Sequence, residues 1–518
     1  MHWIDLSIFV LYMILMLGFG FFFLKRNKGA DDYYVGGRNM SSLHVGLSVV
    51  ATDVGGGFSI GLGGLGFTMG LSGSWMLFTG LIGAWLAAVF LIPKVKGNRA
   101  FDKAYTFPEV FKYYFNARVA LIAGIISAIG YAGFTSSQIL AGAKLATGTF
   151  ANLELNTALL IMGTIAVVYT VMGGLKAVIY TDTLQWALLM TGLIFIGIPI
   201  SYTAVGGWEG ITSTVDPQLL SLTNITWQNV VYWAVTIIPI WFVGMTLYQR
   251  IYACNDEKTA KRAWYMAGLF EWPVMAFMGV LLGLFAKVGA GQGMFDYLGA
   301  QNISETDPET GLPMLLRTVL PVGLMGIMMS AYFSAILSTA DSCLMASSGN
   351  VVSDIIGYFK DVDHQSDTFL RFSQITTLII GLTALLIATT MTSVLDLMLY
   401  SYAFMVSGLF VPIIGALYWK KSSSIGAIAA MLIGGGTTLF LQIAIPLEFL
   451  INVPPIPYLI EGGITISIGL EQLPAGLDPN VFGITASLIA FIIVSLAVPD
   501  SDKKDEKKTE QKEEAIAG

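Results

Sequence analysis

The stretch "SVVATDVGGGFSIGLGGLGF", residues 48–67, is apolar enough for a membrane span, yet it contains Asp53 followed by the glycine triplet Gly55–Gly57. A charge inside the hydrocarbon costs about 2.5–3.5 kcal/mol on insertion scales, and a Gly inside a helix costs about 1 kcal/mol relative to Ala. Unwound backbone at membrane depth is tolerated where it is buried in protein, and its freed carbonyls can then bind a cation. We therefore predict a helix that is broken at the triplet, with a cation site beside the break. The later glycines are interpreted as points of close helix approach: Gly61, Gly63, Gly64 and Gly66.

The composition indicates a polytopic membrane protein. Of 518 residues, 55% are hydrophobic and 12% are charged, and the mean hydropathy is +0.72. Soluble domains carry about 25% charged residues. Because apolar runs of about 20 residues span a bilayer as helices, we predict an all-α protein of the plasma or inner cell membrane. No nucleic-acid partner is expected. The predicted spans number thirteen: 4–24, 42–69, 72–93, 119–143, 157–172, 179–204, 228–250, 264–286, 319–350, 373–392, 395–419, 424–446 and 481–498.

The positions of Lys and Arg predict the orientation. A basic cluster at residues 25–28 follows the first span, which places the N-terminus outside and the C-terminus in the cytoplasm. With that orientation, 24 of the 27 Lys and Arg residues lie at inner helix ends, in inner loops or in the tail. We predict a transmembrane domain over residues 1–499 and a disordered, charged cytoplasmic tail over residues 500–518. The three exceptions are Lys144, Lys287 and Arg317.

A second interrupted helix is predicted five spans after the first. The segment "VVYWAVTIIPIWFVGMTLYQR", residues 230–250, carries Pro239 and Gly244 in mid-membrane and runs in the opposite direction. Transporters built from inverted repeats place interrupted helices at corresponding positions of their two halves. The pattern therefore predicts inverted five-helix repeats over about residues 42–204 and 228–419.

The ninth span carries a polar face. In "MMSAYFSAILSTADSCLMASSGNVV", residues 328–352, four small or hydroxyl residues recur at i, i+3, i+4 and i+7 and share one face of a helix. Hydroxyls beside a freed carbonyl supply several oxygen ligands for a hard monovalent cation. Asp341 adds a charge that needs a partner or an ion. The four residues of the face are Ala335, Ser338, Thr339 and Ser342.

Three other acidic residues lie in or beside spans. Asp182, near the inner end of the sixth span, is either an ion ligand or the structural partner of Lys176, and the spacing leaves both open. Glu271 and Asp396 are interpreted as structural or gating carboxylates.

Enzymes and channels are the alternatives from other classes. The chain has three histidines and no HExxH, G-x-S-x-G or Walker A motif, which argues against an enzyme. Intramembrane hydrolysis by the pair Asp53 and Asp341 stays open at this point. No repeated filter motif indicates a channel. Neither alternative predicts paired broken helices of opposite direction, so we expect a secondary transporter and not an enzyme.

Four motifs carry a resemblance to a known family. They are "DDYYVGGRNM" (31–40), "YTVMGGLKAVIYTDTLQ" (169–185), "LYQRIYAC" (247–254) and "SAILSTADSCLMASS" (334–348). Together they resemble the solute:sodium symporters over essentially the whole chain. The resemblance implies the inverted-repeat fold of the bacterial leucine transporter, Na⁺ as the coupling ion, and a small-molecule solute as the cargo.

The resemblance also implies the ion ligands. By position, the family's first sodium site would use the backbone carbonyls of Ala51, Val54 and Ala335 and the hydroxyls of Ser338 and Thr339. Some members have an additional site nearer the cytoplasm. By position it would use Asp182 with Ser338, Asp341 and Ser342. Because an aspartate stands at 341, where some two-sodium members have serine, the number of ions per cycle stays open.

The subfamily follows from Asp53. "ATDVGGGF" and "STADSCLMASS" are similar to high-affinity choline transporters, but those proteins have a tryptophan where this chain has Asp53. In this respect the chain resembles the sodium/proline symporters, which implies Na⁺-coupled symport of proline or a related amino acid. Choline or another quaternary amine, a carboxylate and a sugar are the alternative solutes. The candidate solute contacts are Asp53, Phe58, Tyr131, Gln138, Trp241 and Tyr402.

Overall fold

The computed structural model describes residues 2–24, 30–150, 153–173, 175–298, 306–360, 367–444, 449–453, 464–468 and 473–500. Its first half is helical. The helices are α1 (Trp3–Leu24), α2 (Ala30–Val35), α3 (Ser42–Met69), α4 (Trp75–Leu86), α5 (Ile92–Val95), α6 (Pro108–Tyr114), α7 (Ala117–Thr149), α8 (Leu155–Gly173), α9 (Leu175–Gly192), α10 (Ile198–Ala204) and α11 (Gly207–Thr214).

The second half is helical except for one small sheet. Its helices are α12 (Trp227–Val243), α13 (Met245–Ala253), α14 (Glu257–Leu269), α15 (Ala276–Gly291), α16 (Pro308–Val319), α17 (Leu324–Gly349), α18 (Gly357–Phe359), α19 (Asp367–Ala388), α20 (Val394–Tyr418), α21 (Ser424–Ala444) and α22 (Pro479–Ala497). Strands β1 (Phe449–Val453) and β2 (Ile464–Ile468) pair antiparallel, with Ile451 opposite Ile466. The prediction of a purely α-helical chain missed this sheet, because the loop before α22 carries no strong strand pattern.

Short 3-10 and π-helical turns join or extend these helices. The 3-10 turns are Gly70–Ser74, Arg99–Phe101, Pro217–Leu220, Asp296–Leu298 and Pro474–Gly476. The π-helical turns are Ala87–Leu91, Leu193–Gly197, Phe270–Met275 and Asn350–Ile356.

Helices lie over each of the thirteen predicted spans. Within the described residues, nine helices are long and apolar enough to cross a membrane, and a tenth span results when the bent pair α12 and α13 is counted as one. One of the nine, Gly55–Val95, includes parts of two predicted spans. The exact number of crossings and the orientation of both termini stay predictions. Of the predicted tail, only Asp500 falls among the described residues, where its carboxylate accepts from Ser424 N at 3.0 Å.

Both predicted interruptions are present in the helices. Gly55, inside α3, has φ 35° and ψ −159°, a conformation that favours glycine. The second interruption lies at Gly244, with φ −67° and ψ 111°, and bends α12 against α13 by 42°. Pro239 lies within α12 and does not end it. The two interruptions produce free backbone groups in the interior of the protein, where polar side chains must satisfy them.

The interior is built around α17, whose side chains are buried along nearly its whole length. Helices α3, α7 and α9 pack against it. Helix α3 also packs closely on α15, since a Cβ built at Gly66 would lie 2.2 Å from the carbonyl oxygen of Val280. A Cβ at Gly283 would lie 2.0 Å from the carbonyl oxygen of Gly63. These contacts confirm that the later glycines of α3 permit close helix approach.

Candidate functional site

The break in α3 lies directly against α17. A Cβ built at Gly55 would lie 2.4 Å from Thr339 Oγ1, so a larger residue at this position would displace the hydroxyl. Thr339 Oγ1 donates to the carbonyl of Ala51 at 2.9 Å and approaches the carbonyl of Ala335 at 3.2 Å. Carbonyl and hydroxyl oxygens are the ligands that hard cations prefer. Three of the five predicted ligands of the first ion therefore lie together beside the break.

The other two predicted ligands are placed differently. The hydroxyl of Ser338 donates to Asp182 Oδ1. Val54 lies between Asp53 and the break, and its side chain falls outside the described structure. Ser338 therefore lies between the Thr339 group and the cluster around Asp182, and rotation of its hydroxyl is required before it can face Ala51.

Asp182 is buried in a polar cluster that includes an arginine. Its carboxylate accepts from Ser48 Oγ at 2.5 Å, and Arg250 Nη2 lies 3.6 Å from Asp182 Oδ2. Arg250 and Asp182 are both fully buried. Of the two open interpretations of Asp182, a structural ion pair is present, but its partner is Arg250 instead of Lys176, whose side chain is not among those described.

Arg250 was expected at an inner helix end, and that expectation is wrong. The residue lies six positions after Gly244, on a half-helix that continues past the break. Arg250 Nη2 donates to Ser342 Oγ at 2.9 Å and also to Thr52 Oγ1. Sequence reasoning missed this arginine because Lys and Arg were assigned by span position alone. The available signal was a charge about 9 Å beyond a mid-membrane break, at 1.5 Å rise per residue.

Asp341 is separate from that cluster in its hydrogen bonding. One of its oxygens accepts from Thr170 Oγ1 on α8, and within the described residues no hydrogen-bond donor reaches Oδ2. The structure therefore divides the residues predicted for a second ion. Asp182 and Ser342 contact Arg250, whereas Asp341 contacts Thr170.

Gln138 satisfies the backbone at the first break. Its Oε1 accepts from the N–H groups of Gly56 and Gly57, each at 3.0 Å. These two N–H groups begin the second half of α3, where no preceding helical turn supplies an acceptor. Gln138 is fully buried. It was predicted as a solute contact, and its observed contacts are those of a helix cap.

Tyr131, seven residues earlier on α7, has the corresponding place at the second break. Its hydroxyl accepts from Thr246 N at 3.2 Å and lies 3.0 Å from Thr246 Oγ1. Thr246 is the second residue of α13. One helix, α7, therefore supplies polar side chains to both interrupted helices.

Asp53 faces Tyr402 and Glu271. Tyr402 Oη approaches Asp53 Oδ1 at 3.5 Å, and the carboxyl of Glu271 lies beside that of Asp53. Gly80 gives Glu271 this space, because a Cβ there would lie 1.8 Å from Glu271 Oε2. Among the described residues no donor reaches Asp53 Oδ2 or either oxygen of Glu271. Asp53 and Tyr402 therefore come together at the break, and Glu271 joins them.

The remaining predicted solute contacts are an indole and a phenyl ring. Trp241 is fully buried just before the second break, and its ring centroid lies 6.3 Å from that of Trp264. The side chain of Phe58 falls outside the described structure. Trp241 is thus placed in the core between α12 and α14, and no contact joins it to Asp53.

A family model decides the class of this protein. The model for the sodium:solute symporter family matches residues 33–434, about three quarters of the chain and both interrupted helices. The chain belongs to this family. It is a Na⁺-coupled secondary transporter and a multi-pass protein of the cell membrane, and it is not an enzyme. The symporter's cargo therefore includes Na⁺ and a small solute.

Known relatives of the symporter extend over almost its whole length. The osmoregulated proline transporter OpuE of Bacillus subtilis is 26% identical over 499 residues, which cover 94% of this chain and 93% of the relative. The high-affinity proline transporter PutP of the same organism is 26% identical over 85% of this chain and 92% of its own. The sodium/proline symporter of Staphylococcus aureus is 24% identical over 84% of this chain and 85% of its own.

Solved structures show the same fold. A Na⁺-coupled sialic acid symporter in a substrate-bound outward-open state matches the symporter with a TM-score of 0.74 and 20% identity, over 96% of this chain and 98% of the other. Mhp1, a nucleobase-cation-symport-1 family transporter in a closed conformation, matches with a TM-score of 0.53 and 13% identity, over 90% and 93% of the two chains. The predicted leucine-transporter-type fold class is confirmed.

Proposed function

We propose that the symporter carries proline or a closely related small amino acid inward together with Na⁺. The observation that carries this proposal is the state of Asp53. It is buried beside the break in α3, with 4% of its surface exposed, and no donor among the described residues reaches its Oδ2. A buried carboxylate without donors is costly, and the ammonium group of an amino acid supplies both charge and N–H donors.

The chemistry at the break favours an amino acid over the alternative solutes. A quaternary amine has no N–H to donate and is usually held by an aromatic cage, and Asp53 stands where such a cage would need an aromatic residue. A sugar or a simple carboxylate has no positive charge for Asp53. The relatives named above, which are described as proline transporters, support the same choice. Phe58, Tyr131, Gln138, Trp241 and Tyr402 are the further proposed residues of the solute site.

We propose the first sodium site at the break itself. Its ligands are the carbonyls of Ala51, Val54 and Ala335 and the hydroxyls of Ser338 and Thr339. The proximity of Ala51, Ala335 and Thr339 supports this assignment. Na⁺ bound there draws the first half of α3 and α17 together, so that the ion orders the same break that holds Asp53.

The transport cycle follows from the proposed repeats, residues 42–204 and 228–419, within a transmembrane domain of residues 1–499 followed by a cytoplasmic tail, residues 500–518. Na⁺ and solute bind in an outward-open state, become occluded at the breaks, and leave inward after one part of the repeats rocks against the other. Each Na⁺ gains about 2.3 kcal/mol at 100 mV, and a tenfold gradient adds about 1.4 kcal/mol. One ion therefore supports accumulation of a neutral solute by several hundredfold.

Uptake into proteoliposomes tests the solute. Vesicles containing the purified protein receive labelled proline under an inward Na⁺ gradient or an equal K⁺ gradient. Accumulation is expected only with Na⁺, and unlabelled proline should compete, whereas choline, sialic acid and glucose should not. Uptake driven equally by K⁺ would contradict Na⁺ coupling. Competition by choline or by a sugar, with no effect of proline, would contradict the amino-acid assignment.

Substitutions at α17 test the ion ligands separately. Ser338→Ala and Thr339→Ala each remove one hydroxyl, and each should raise the Na⁺ concentration for half-maximal uptake. Ser347→Ala is the matched control, because its hydroxyl donates to the carbonyl of Ala128, away from the break, at 2.8 Å. An unchanged Na⁺ dependence in both ligand variants would remove them from the site.

A further inference from the structure

The guanidinium of Arg250 is enclosed by oxygen atoms from four helices. Nε donates to Ser48 Oγ at 3.1 Å, and Nη1 donates to the carbonyl of Thr246 at 3.2 Å. Nη2 donates to Ser342 Oγ at 2.9 Å and to Thr52 Oγ1, and it lies 3.6 Å from Asp182 Oδ2. Every nitrogen of this fully buried cation therefore faces an oxygen.

These oxygens overlap the set that a second Na⁺ would need. The family resemblance implies Asp182, Ser338, Asp341 and Ser342 as ligands of an additional ion. In the structure, Asp182 and Ser342 face the guanidinium, and Ser338 donates to Asp182. Asp341 contacts Thr170 instead. The oxygens that remain do not form a compact ligand set around an empty position.

Charge balance in this region points to the same conclusion. A buried carboxylate needs a cation, and Arg250 already supplies one to Asp182. A Na⁺ bound to the same carboxylate would lie close to the guanidinium, and two like charges repel strongly where the dielectric constant is low. The covalently attached cation thus stabilises Asp182 without an ion from solution, and it cannot be released to the cytoplasm.

We propose that Arg250 occupies the position of a second Na⁺ and thereby fixes the coupling at one Na⁺ per solute. The inference rests on the proposed function, since it takes the first sodium site at Ala51 and Thr339 as given. It makes Arg250 a residue that determines stoichiometry and contacts neither the solute nor the transported ion. A chain of this fold with a neutral residue at this position is expected to bind two ions.

Two measurements on the purified protein test the count. Equilibrium binding of ²²Na⁺ in detergent, at saturating proline, gives the ions bound per chain, and paired ²²Na⁺ and labelled proline uptake gives the transport ratio. The wild-type protein should bind one Na⁺, with a Hill coefficient near one and a transport ratio of one. Arg250→Gln, which keeps hydrogen-bond donors and loses the charge, should bind a second Na⁺ and raise the Hill coefficient.

Two further variants serve as controls. The double variant R250Q/D182N removes both charges and should bind one Na⁺. Arg38→Gln removes another ion-paired arginine, whose Nε lies 2.8 Å from Asp31 Oδ1 outside this cluster, and should also bind one. If Arg250→Gln does not fold, the wild-type count still decides. Two ions per wild-type chain, or one ion in a folded Arg250→Gln protein, would overturn the inference. Absence of Na⁺-dependent proline uptake in the wild type would instead contradict the proposed function.

Discussion

Replacement of Gln138 by Met separates a structural role from a role in solute binding. Met has a similar length and no acceptor for the N–H groups of Gly56 and Gly57. Leaving a buried donor unsatisfied costs about 1–3 kcal/mol. Two such donors give about 2–6 kcal/mol by the same range, lost from the free energy of unfolding. The loss belongs to the protein itself and is expected without Na⁺ or solute.

Thermal unfolding of the detergent-purified protein in KCl, and again in NaCl with proline, measures this effect. Gln185→Met is the matched control: Gln185 is equally buried within α9, and its Oε1 accepts no hydrogen bond among the described residues. We expect a clear fall in unfolding temperature for Gln138→Met in KCl and a small one for the control. Equal unfolding temperatures in KCl, with a raised proline concentration for half-maximal uptake, would refute the capping role and leave Gln138 as a solute contact.

Three further outcomes are expected. Gly55→Ala strains the backbone by about 1–3 kcal/mol and pushes Thr339 Oγ1 aside, so Na⁺ titration of uptake should show about tenfold weaker dependence or worse, whereas Gly436→Ala, with open space around its Cβ, should show none. Asp53→Asn should weaken proline binding in a competition assay; unchanged binding and transport would remove the carboxylate from the solute site. Burial raises the pKa of Asp478, the N-cap of α22, to about 6, so the folded state holds a proton that the unfolded state loses at lower pH. The unfolding temperature should therefore fall as pH rises from about 4 to 6, and Asp478→Asn should flatten that slope.

Local composition was sufficient to locate the first break and the polar face of α17. Three consecutive glycines beside a charge are costly in a span, and their position in the sequence is also their position in the fold. The i, i+3, i+4 spacing of Ala335, Ser338 and Thr339 needs only the geometry of a single helix. Where one helix determines the feature, the sequence was enough.

Partners across helices could not be predicted in the same way. Gln138 is 82 residues from Gly56, and Arg250 is 202 residues from Ser48, so each contact depends on how distant helices pack. Gln138 was recognised as important and given the wrong kind of partner. Arg250 was quoted within a motif and still assigned to a helix end, because the continuation of α13 past Gly244 decides its depth. Glu271 reaches Asp53 only because Gly80, on another helix, leaves room for its carboxyl.

The two polar side chains that α7 offers to the breaks impose a length constraint on that helix. Tyr131 and Gln138 are seven residues apart, close to two turns at 3.6 residues per turn, so both point in nearly the same direction. Insertion of a single residue between them would rotate one by about 100° relative to the other, and one break would lose its hydrogen bonds. Between these two positions the sequence of α7 is free to change, but its number of residues is not.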